Sequence, residues 1–337
     1  MIRKLLGRGL EPMLGARRAW YRHGPGRVHE VDGLRVIAVG GALLGGSGKT
    51  PCTESLARAL SESGERVAIV LRGYKSRYES AGAVVSDGTR VLLDADGAGD
   101  EAAMLARLLP KVPVVIGADR VAAAARARAL GASTVVADGA FDACELARDV
   151  EILVLDRDGG DLAESAAPFG PRRLALKDVA RADLRVYVGD GRVPPGAVEP
   201  SLGARIVARG LVGLDLDRSA ARPVSGLNGR RVALLTGIAR PRRVKAFVQS
   251  LGGVVVLHRS AGDHHRFGAI ELAAFAASSR IAGADVLVTT AKDARRLVPH
   301  ESALGDMDVA VLDVALAIEG GWPGWLLHPT SVRAARA

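Results

Sequence analysis

Residues 45–50 read Gly-Gly-Ser-Gly-Lys-Thr and follow an apolar, strand-like run, Val36 to Val39. Glycines in such a turn let backbone N–H groups converge on an anion, a lysine can contact β- and γ-phosphates, and a hydroxyl can hold Mg²⁺. A helical pattern begins after the loop, near Thr53. The segment is therefore predicted to bind nucleotide phosphate, the alternative being a structural glycine turn. The binding residues would be Gly45, Gly46, Ser47, Gly48, Lys49 and Thr50.

Two leucines distinguish this loop from related loops. The strict phosphate-binding pattern has glycine where Leu43 stands, so the start of the loop must run differently. One branch of P-loop ATPases, which partition or insert cargo, carries an additional lysine at the place of Leu44. Leu44 therefore counts against that branch.

Three other groups of acidic and histidine residues could do chemistry. The apolar run 134–138 ends in Asp138, which could help to hold Mg²⁺ or simply cap the strand end. Asp100 and Glu101 begin a helical segment, where they could complement the helix dipole or accept a hydroxyl proton. Asp263 and His264 lie in a glycine-flanked loop with a second histidine, and an aspartate there could orient an imidazole and raise its basicity. A structural role for the histidine pair stays open.

Strand-like and helical segments alternate along most of the chain, which predicts an α/β fold with a buried parallel sheet. The catalytic residues should then lie at the carboxyl ends of the strands. A Gly/Pro-rich stretch at 189–203 suggests a boundary, and a second α/β run begins near Arg230. The predicted organisation is an amphipathic segment at 1–30, a P-loop domain at 31–200, a linker at 201–228 and a smaller α/β domain at 229–337.

Composition limits the compartment and the partners. The chain has 337 residues and two cysteines, which predicts a reducing compartment. Its net charge of +9 fits anionic partners, the alternative being an arginine-rich, high-GC genome. No apolar run approaches the ~18 residues needed to span a bilayer. The first twenty residues place apolar side chains on one helical face with arginines around it, followed by Tyr21. This pattern is typical of a helix at an anionic membrane surface, and equally of a helix docked on the protein itself.

The motifs together resemble the tetraacyldisaccharide 4′-kinase family, which phosphorylates a membrane-embedded disaccharide in lipid A biosynthesis. The resemblance extends from residue 36 to 297, and the family loop also lacks the first glycine of the strict pattern. Its matching segments, in family order, are VGGALLGGSGKTP, LRGY, GDEAAMLARLLPKVPVVIGADRVAAA, ADGAFDACELARDVEILVLD, PFGPRRL, TGIARP, GDHHRFG and TTAKDARRL.

The resemblance implies an ATP- and Mg²⁺-dependent phosphotransferase on the cytoplasmic face of the bacterial inner membrane. Its partners would be ATP, the acylated disaccharide precursor and the membrane surface, with no nucleic acid. Lys49 would contact the β/γ-phosphates, and Thr50 and Asp138 would hold the metal. On the acceptor side, Asp100 paired with His264 would take the proton of the 4′-hydroxyl, Asp263 would orient His264, and Arg120 and Glu101 would contact the substrate.

The chain departs from the family pattern after Asp138. The family usually continues with a second aspartate and then Gly-Leu-Gln-His, whereas here Gly139 to Ala143 follow, and Ala291 replaces a glutamate in the last motif. Asp142 could restore a carboxylate to the metal site. A non-catalytic relative that binds nucleotide or lipid, or a P-loop ATPase that controls a protein partner, are the alternatives; the absence of a CxxC motif and Leu44 speak against the ATPase.

Overall fold

The structure is a computed structural model that describes residues 20–21, 27–43, 48–141, 143–157, 160–163, 170, 172, 174, 178–263 and 265–328. Within these residues twelve strands form one sheet, in the order β10-β9-β11-β12-β8-β7-β6-β1-β5-β2-β4-β3. The strands are β1 (Arg35–Gly41), β2 (Val67–Leu71), β3 (Ala83–Ser86), β4 (Val114–Ile116), β5 (Thr134–Asp138), β6 (Val150–Asp156), β7 (Leu184–Gly189), β8 (Ser201–Val212), β9 (Arg231–Thr236), β10 (Val254–Ser260), β11 (Val286–Thr290) and β12 (Val309–Ile318).

Helices connect these strands. The α-helices of the described residues are α1 (Lys49–Glu62), α2 (Ala95–Ala98), α3 (Asp100–Leu108), α4 (Arg120–Ala129), α5 (Gly160–Ala163), α6 (Asp178–Arg181), α7 (Pro241–Ser250), α8 (Ala269–Ile281), α9 (Ala291–Leu297) and α10 (Gly324–Leu327). Short 3₁₀ segments are Arg218–Ala220, Val224–Leu227 and Val298–Leu304.

The first half of the sheet is built around β1, which lies between β5 and β6 and is parallel to both. Val39 of β1 is opposite Asp138 of β5, and Gly41 is opposite Val154 of β6. These strands are almost wholly buried. Continuous apolar strands of this kind need helices on both faces of the sheet. The α/β class predicted from the sequence is confirmed.

Strand β8 joins the two halves of the sheet. Its first residues, 201–205, pair in parallel with β7, and residues 204–212 pair antiparallel with β12. Strands β9 to β12 are parallel to one another. The segment predicted as a linker thus contains a sheet strand, and the hydrogen-bonded sheet continues through it. The division into two domains stays a prediction.

Helices of both halves of the sheet pack together. Helix α3 of the first half packs on α9 of the second, and one apolar cluster includes buried residues of both helices, among them Leu105 and Leu297.

A buried charge cluster ties the junction together. Arg218 donates from Nε and Nη2 to the two carboxylate oxygens of Asp313 on β12, both at 2.7 Å. Its Nη2 also lies 2.9 Å from Glu54 Oε1 on α1, and its Nη1 donates to the Leu108 carbonyl at the end of α3. The Glu54 and Asp313 side chains are 6% and 3% exposed. One guanidinium therefore links α1, α3 and β12.

Candidate active site

Gly48 and the start of α1 have features that suit an anion. Gly48 is the residue before the helix, with φ +85°, and a Cβ there would lie 3.3 Å from Val188 Cγ2. No acidic side chain stands in the first helical turn. No acid of the helix's own first turn therefore competes with an anion for the amide groups and dipole at the start of α1. Residues 44–47 of the predicted cradle, including Gly45, Gly46 and Ser47, lie outside the described residues.

Leu43, which replaces the first glycine of the strict motif, is buried and turns its backbone toward the lysine. Lys49 Nζ donates to the Leu43 carbonyl at 3.3 Å. Leu43 also forms an isolated antiparallel bridge with Arg172. The backbone of Leu43 therefore lies beside that of Arg172, and Leu43 is 5% exposed.

Asp138 lies at the carboxyl end of β5, beside the first turn of α1. It is 5% exposed. Burial raises the pKa of the Cys52 thiol, and the negative charge of Asp138 raises it further, so the carboxylate lies near the helix that carries Thr50. A strand-end acid thus lies near the start of α1, and its role in holding a metal stays a prediction. Asp142, the other predicted metal ligand, is outside the described residues.

Arg120 begins α4 and reaches toward the same edge of the sheet. It is 6% exposed, and its Nη2 donates to the Asp138 carbonyl at 3.1 Å. Its charge also acts on Glu79, which accepts hydrogen bonds from Arg72 Nε at 2.6 Å and the Lys75 amide at 2.9 Å. Burial opposes ionisation of Glu79, but these donors and charges together lower its pKa. Arg120, Arg72 and Glu79 thus form a group of charged residues at the carboxyl ends of β2 and β5, which we call the charged rim. Arg120 is its buried member.

Asp100 stands at the same edge because two loops approach closely. Gly99, with φ +83°, precedes it, and a Cβ on Gly99 would lie 3.2 Å from the Tyr74 carbonyl in the loop after β2. Strands β2, β5 and β1 are mutually parallel, so this loop, Asp138 and the start of α1 are all at their carboxyl ends. The helix of Asp100 therefore begins at the same edge of the sheet as the start of α1.

Helix α9 of the second half supplies two cations to this acidic helix start. Arg296 Nε donates to Asp100 Oδ2 at 2.7 Å. Lys292 Nζ lies 3.3 Å from Glu101 Oε1 and 3.5 Å from Asp263 Oδ1. Three predicted acidic residues, Asp100, Glu101 and Asp263, thus lie close together. Each of them contacts either Arg296 or Lys292.

The Arg296 guanidinium also contacts a fully buried carboxylate, that of Asp293. Asp293 is 0% exposed and accepts from the Gly237 amide at 3.0 Å, from Thr290 Oγ1 at 2.8 Å and from Arg296 Nη1 at 3.1 Å. Burial raises the pKa of Asp293 despite these donors. Neither Asp293 nor Arg296 was singled out from the sequence, because two arginines near the end of a helix are ordinary.

The histidine loop is described except for His264. His265 Nε2 lies 2.9 Å from Glu271 Oε2, and Glu271 also pairs with Arg259 at 2.7 Å. Burial opposes ionisation of Glu271, yet the hydrogen bond and charge of His265 and the charge of Arg259 lower its pKa. His265 therefore secures the start of α8. The predicted pairing of Asp100 with His264 stays a prediction, since His264 is outside the described residues.

A further acid at a strand end was missed. Asp156 ends β6, beside β1, and is 6% exposed. Its Oδ2 accepts from Arg240 Nη1 at 2.8 Å and from Arg243, both of which belong to the second half. The signal that selected Asp138, an acid closing an apolar strand, is present at Asp156 as well. These ion pairs are a further contact between the two halves.

The described residues contain no helix long and apolar enough to cross a membrane. The amphipathic segment predicted at 1–30 is described only at 20–21 and 27–30. There Trp20 is 55% exposed, and the Arg27 guanidinium lies 3.7 Å from its ring centroid.

Comparison with known proteins agrees with the geometry. The sequence profile of the tetraacyldisaccharide-1-P 4′-kinase family matches residues 6–329. A tetraacyldisaccharide 4′-kinase of Geobacter metallireducens is 38% identical over 286 residues, covering 83% of this chain and 84% of that protein. One from Anaeromyxobacter dehalogenans is 38% identical over 300 residues, covering 84% and 78%.

A solved structure shares the fold. It is a crystal structure of the "apo" form of LpxK from Aquifex aeolicus in complex with ATP, with a TM-score of 0.75 and 28% identity, covering 95% of this chain and 96% of that one. The profile match over nearly the whole length and the identities of the relatives confirm the predicted resemblance. The chain belongs to the tetraacyldisaccharide-1-P 4′-kinase family.

Proposed function

We propose that this chain transfers the γ-phosphoryl group of ATP to the 4′-hydroxyl of a tetraacyldisaccharide 1-phosphate. Family membership supports a phosphotransferase with an alcohol acceptor. The observation that carries the proposal is the meeting of Asp100 with α9 at the edge of the sheet where β1 leads into α1. A carboxylate at this place can accept the proton of an acceptor hydroxyl beside the nucleotide loop.

The nucleotide is held by the start of α1. Gly48 allows the backbone to turn into the helix, and Lys49 supplies a charge for the β- and γ-phosphates. Gly45, Gly46 and Ser47 complete the proposed cradle. The crystal structure of the Aquifex aeolicus relative in complex with ATP supports nucleotide binding by this chain.

The residues present fit a magnesium ion. Magnesium in kinases is commonly held by one or two protein oxygens together with substrate phosphates and water. A buried Asp138 near the helix that carries Thr50 meets that need, although among the described residues no three His, Cys, Asp or Glu side chains gather as a metal cluster. Thr50 and Asp138, with Asp142, would hold the ion, and it would supply neutralising charge at the phosphates.

The reaction needs a base and orientation more than covalent chemistry. The 4′-oxygen forms a bond to the γ-phosphorus, the bond from that phosphorus to the β,γ-bridging oxygen breaks, and ADP leaves with the electron pair. The hydroxyl proton passes to the carboxylate of Asp100. His264 and Asp263 are assigned to assist Asp100, and Lys292, which contacts Glu101 and Asp263, balances the acidic charge around them.

The acceptor would approach over the charged rim. Arg120 and Glu101 are the residues assigned to the substrate, and Arg72, whose side chain is 63% exposed, offers a further cation. A basic surface suits a phosphorylated lipid at an anionic membrane. We propose that the chain acts at the cytoplasmic face of the bacterial inner membrane, with the segment 1–30 at the interface.

The test is formation of the bisphosphate from Mg-ATP and the tetraacylated disaccharide monophosphate in detergent micelles. We expect product from the wild type, none from Lys49→Ala and a loss of about 10² or more in kcat from Asp100→Ala. Lys111→Ala and Asp306→Ala remove exposed charges elsewhere and should leave turnover unchanged. ATP hydrolysis without lipid product would contradict the proposal and favour a P-loop ATPase, and nucleotide binding without turnover would favour a regulatory relative.

A further inference from the structure

We infer that Arg296 is a positioning residue, which orients the carboxylate of Asp100 for proton transfer from the acceptor hydroxyl. The inference rests on the proposed function, since it gives a role to a residue that acts through the assigned base. It is carried by the contacts of one guanidinium with groups on four separate segments of the chain.

Arg296 is held in a single orientation. Its side chain is 4% exposed. Nε donates to Asp100 Oδ2 at 2.7 Å, while Nη1 is shared among Asp293 Oδ1 at 3.1 Å, the Gly237 carbonyl at 3.0 Å and the His265 carbonyl at 3.4 Å. A guanidinium is planar and its donors have a fixed geometry. Once Nη1 is fixed by these acceptors, the direction of the Nε–H bond toward Asp100 is fixed too.

Asp293 determines where the guanidinium lies. It is on the same helix three residues earlier, completely buried, and it also accepts from the Gly237 amide and the Thr290 hydroxyl. A buried carboxylate with several donors cannot move without losing hydrogen bonds that water would not replace. Asp293 therefore anchors Arg296, and Arg296 in turn anchors Asp100.

Asp100 needs such an anchor because of where it lies. It is the first residue of α3 and follows Gly99, which has no side chain to hold the turn. Proton transfer requires the carboxylate within hydrogen-bond reach of the hydroxyl, and a displacement of about 1 Å can cost 10²-fold in rate. With Oδ2 held by Arg296, one oxygen of the carboxylate has a defined position before the acceptor binds.

The contact also makes the orientation of the base depend on the arrangement of the two halves. Asp100 belongs to the first half, whereas Arg296, Asp293, Gly237 and His265 all belong to the second. The base is thus oriented by Arg296 only when α9 is packed on α3, as it is here.

The experiment compares Arg296→Gln with Arg296→Lys and with Arg295→Gln. Arg295 is the neighbour on α9 with similar burial, but it donates to the Leu214 carbonyl, away from Asp100. We expect Arg296→Gln to lower kcat by about 10- to 100-fold while KM for ATP changes less than about twofold. Arg296→Lys keeps a cation for Asp100, so its kcat should be at least about threefold higher than that of Arg296→Gln. Arg295→Gln should leave kcat within about twofold.

A double-mutant cycle separates positioning from a merely structural role. If Arg296 acts through Asp100, then Asp100→Asn with Arg296→Gln is no slower than Asp100→Asn alone. Losses that multiply, or an equal fall in Arg295→Gln, overturn the inference. Wild-type turnover with an unaffected Arg296→Gln also overturns it and leaves the proposed function standing, whereas absence of product from the wild type overturns both. Should Arg296→Gln fail to fold, the same cycle is run with Arg296→Lys.

Discussion

Replacing Arg218 by methionine should destabilise the chain through the acid that it leaves behind. Methionine retains much of the length of the side chain and removes the charge. Asp313, with 3% of its side chain exposed, then loses both hydrogen bonds from Arg218. Glu54 keeps Arg58 at 2.9 Å and Arg209 at 3.4 Å. The loss of hydrogen bonds therefore falls mainly on Asp313.

The structure sets the size of the effect. Removing one partner of a buried ion pair costs about 3–5 kcal/mol. Because 22% of the Arg218 side chain is exposed, water can reach the vacated side, and we expect about 3 kcal/mol. Burial alone would lower the pKa of Arg218, but Asp313 and Glu54 raise it, which indicates that the folded protein favours the charged guanidinium.

Urea unfolding followed by far-ultraviolet circular dichroism measures the loss. Adding Asp313→Asn to Arg218→Met removes the uncompensated charge and should recover about 1.5 kcal/mol. Arg222→Met, which breaks a half-exposed pair with Asp308 at 3.0 Å, serves as the control and should cost less than about 1 kcal/mol. A loss below about 1 kcal/mol for Arg218→Met, or a double variant less stable than the single one, would refute the reasoning.

Three other outcomes are expected. Gly48→Ala places a side chain at φ +85° and 3.3 Å from Val188, so ATP affinity measured by calorimetry should fall at least about tenfold; unchanged affinity would contradict the cradle. Because the pKa of Glu271 is lowered in the folded state, its stabilisation is present above its unfolded pKa of about 4.3 and lost as pH falls below it. The melting temperatures of wild type and Glu271→Gln should therefore converge between pH 6 and pH 3, as differential scanning fluorimetry would show, and a constant difference would argue against this linkage. Cys52 on α1 and Cys144 after β5 are both buried, so neither thiol should react with a disulfide reagent until the protein is unfolded in guanidinium; rapid reaction of a thiol in the native protein would contradict the packing around that cysteine.

The strands and the nucleotide loop could be predicted because their signals are local. Runs such as residues 67–71 are continuously apolar and short, and the loop joins a strand to a helix within a few positions. Asp138 could be selected for the same reason, because it is the last residue of an apolar run and the signal lies within residues 134–138 alone.

The contacts between the two halves could not be predicted in this way. Arg296 and Asp100 are 196 positions apart, and Arg218 and Asp313 are 95 apart. An arginine near a helix end gives no indication of its distant partner. The reversal of strand direction at β8 was equally hidden, because an extended segment looks the same whichever neighbour it pairs with.

The late pairing of β8 has a consequence for synthesis of the chain. Residues 206–212 have β12 as their strand partner in the sheet, and β12 begins only at Val309. At about 5–20 residues a second, translation of the roughly 100 intervening residues takes on the order of 5 to 20 seconds. During that interval the emerging β8 carries an open edge, the kind of surface on which nascent chains aggregate. Arg205 and Arg209, which stand exposed on this strand, place charges along that edge and oppose such pairing until the last strand arrives.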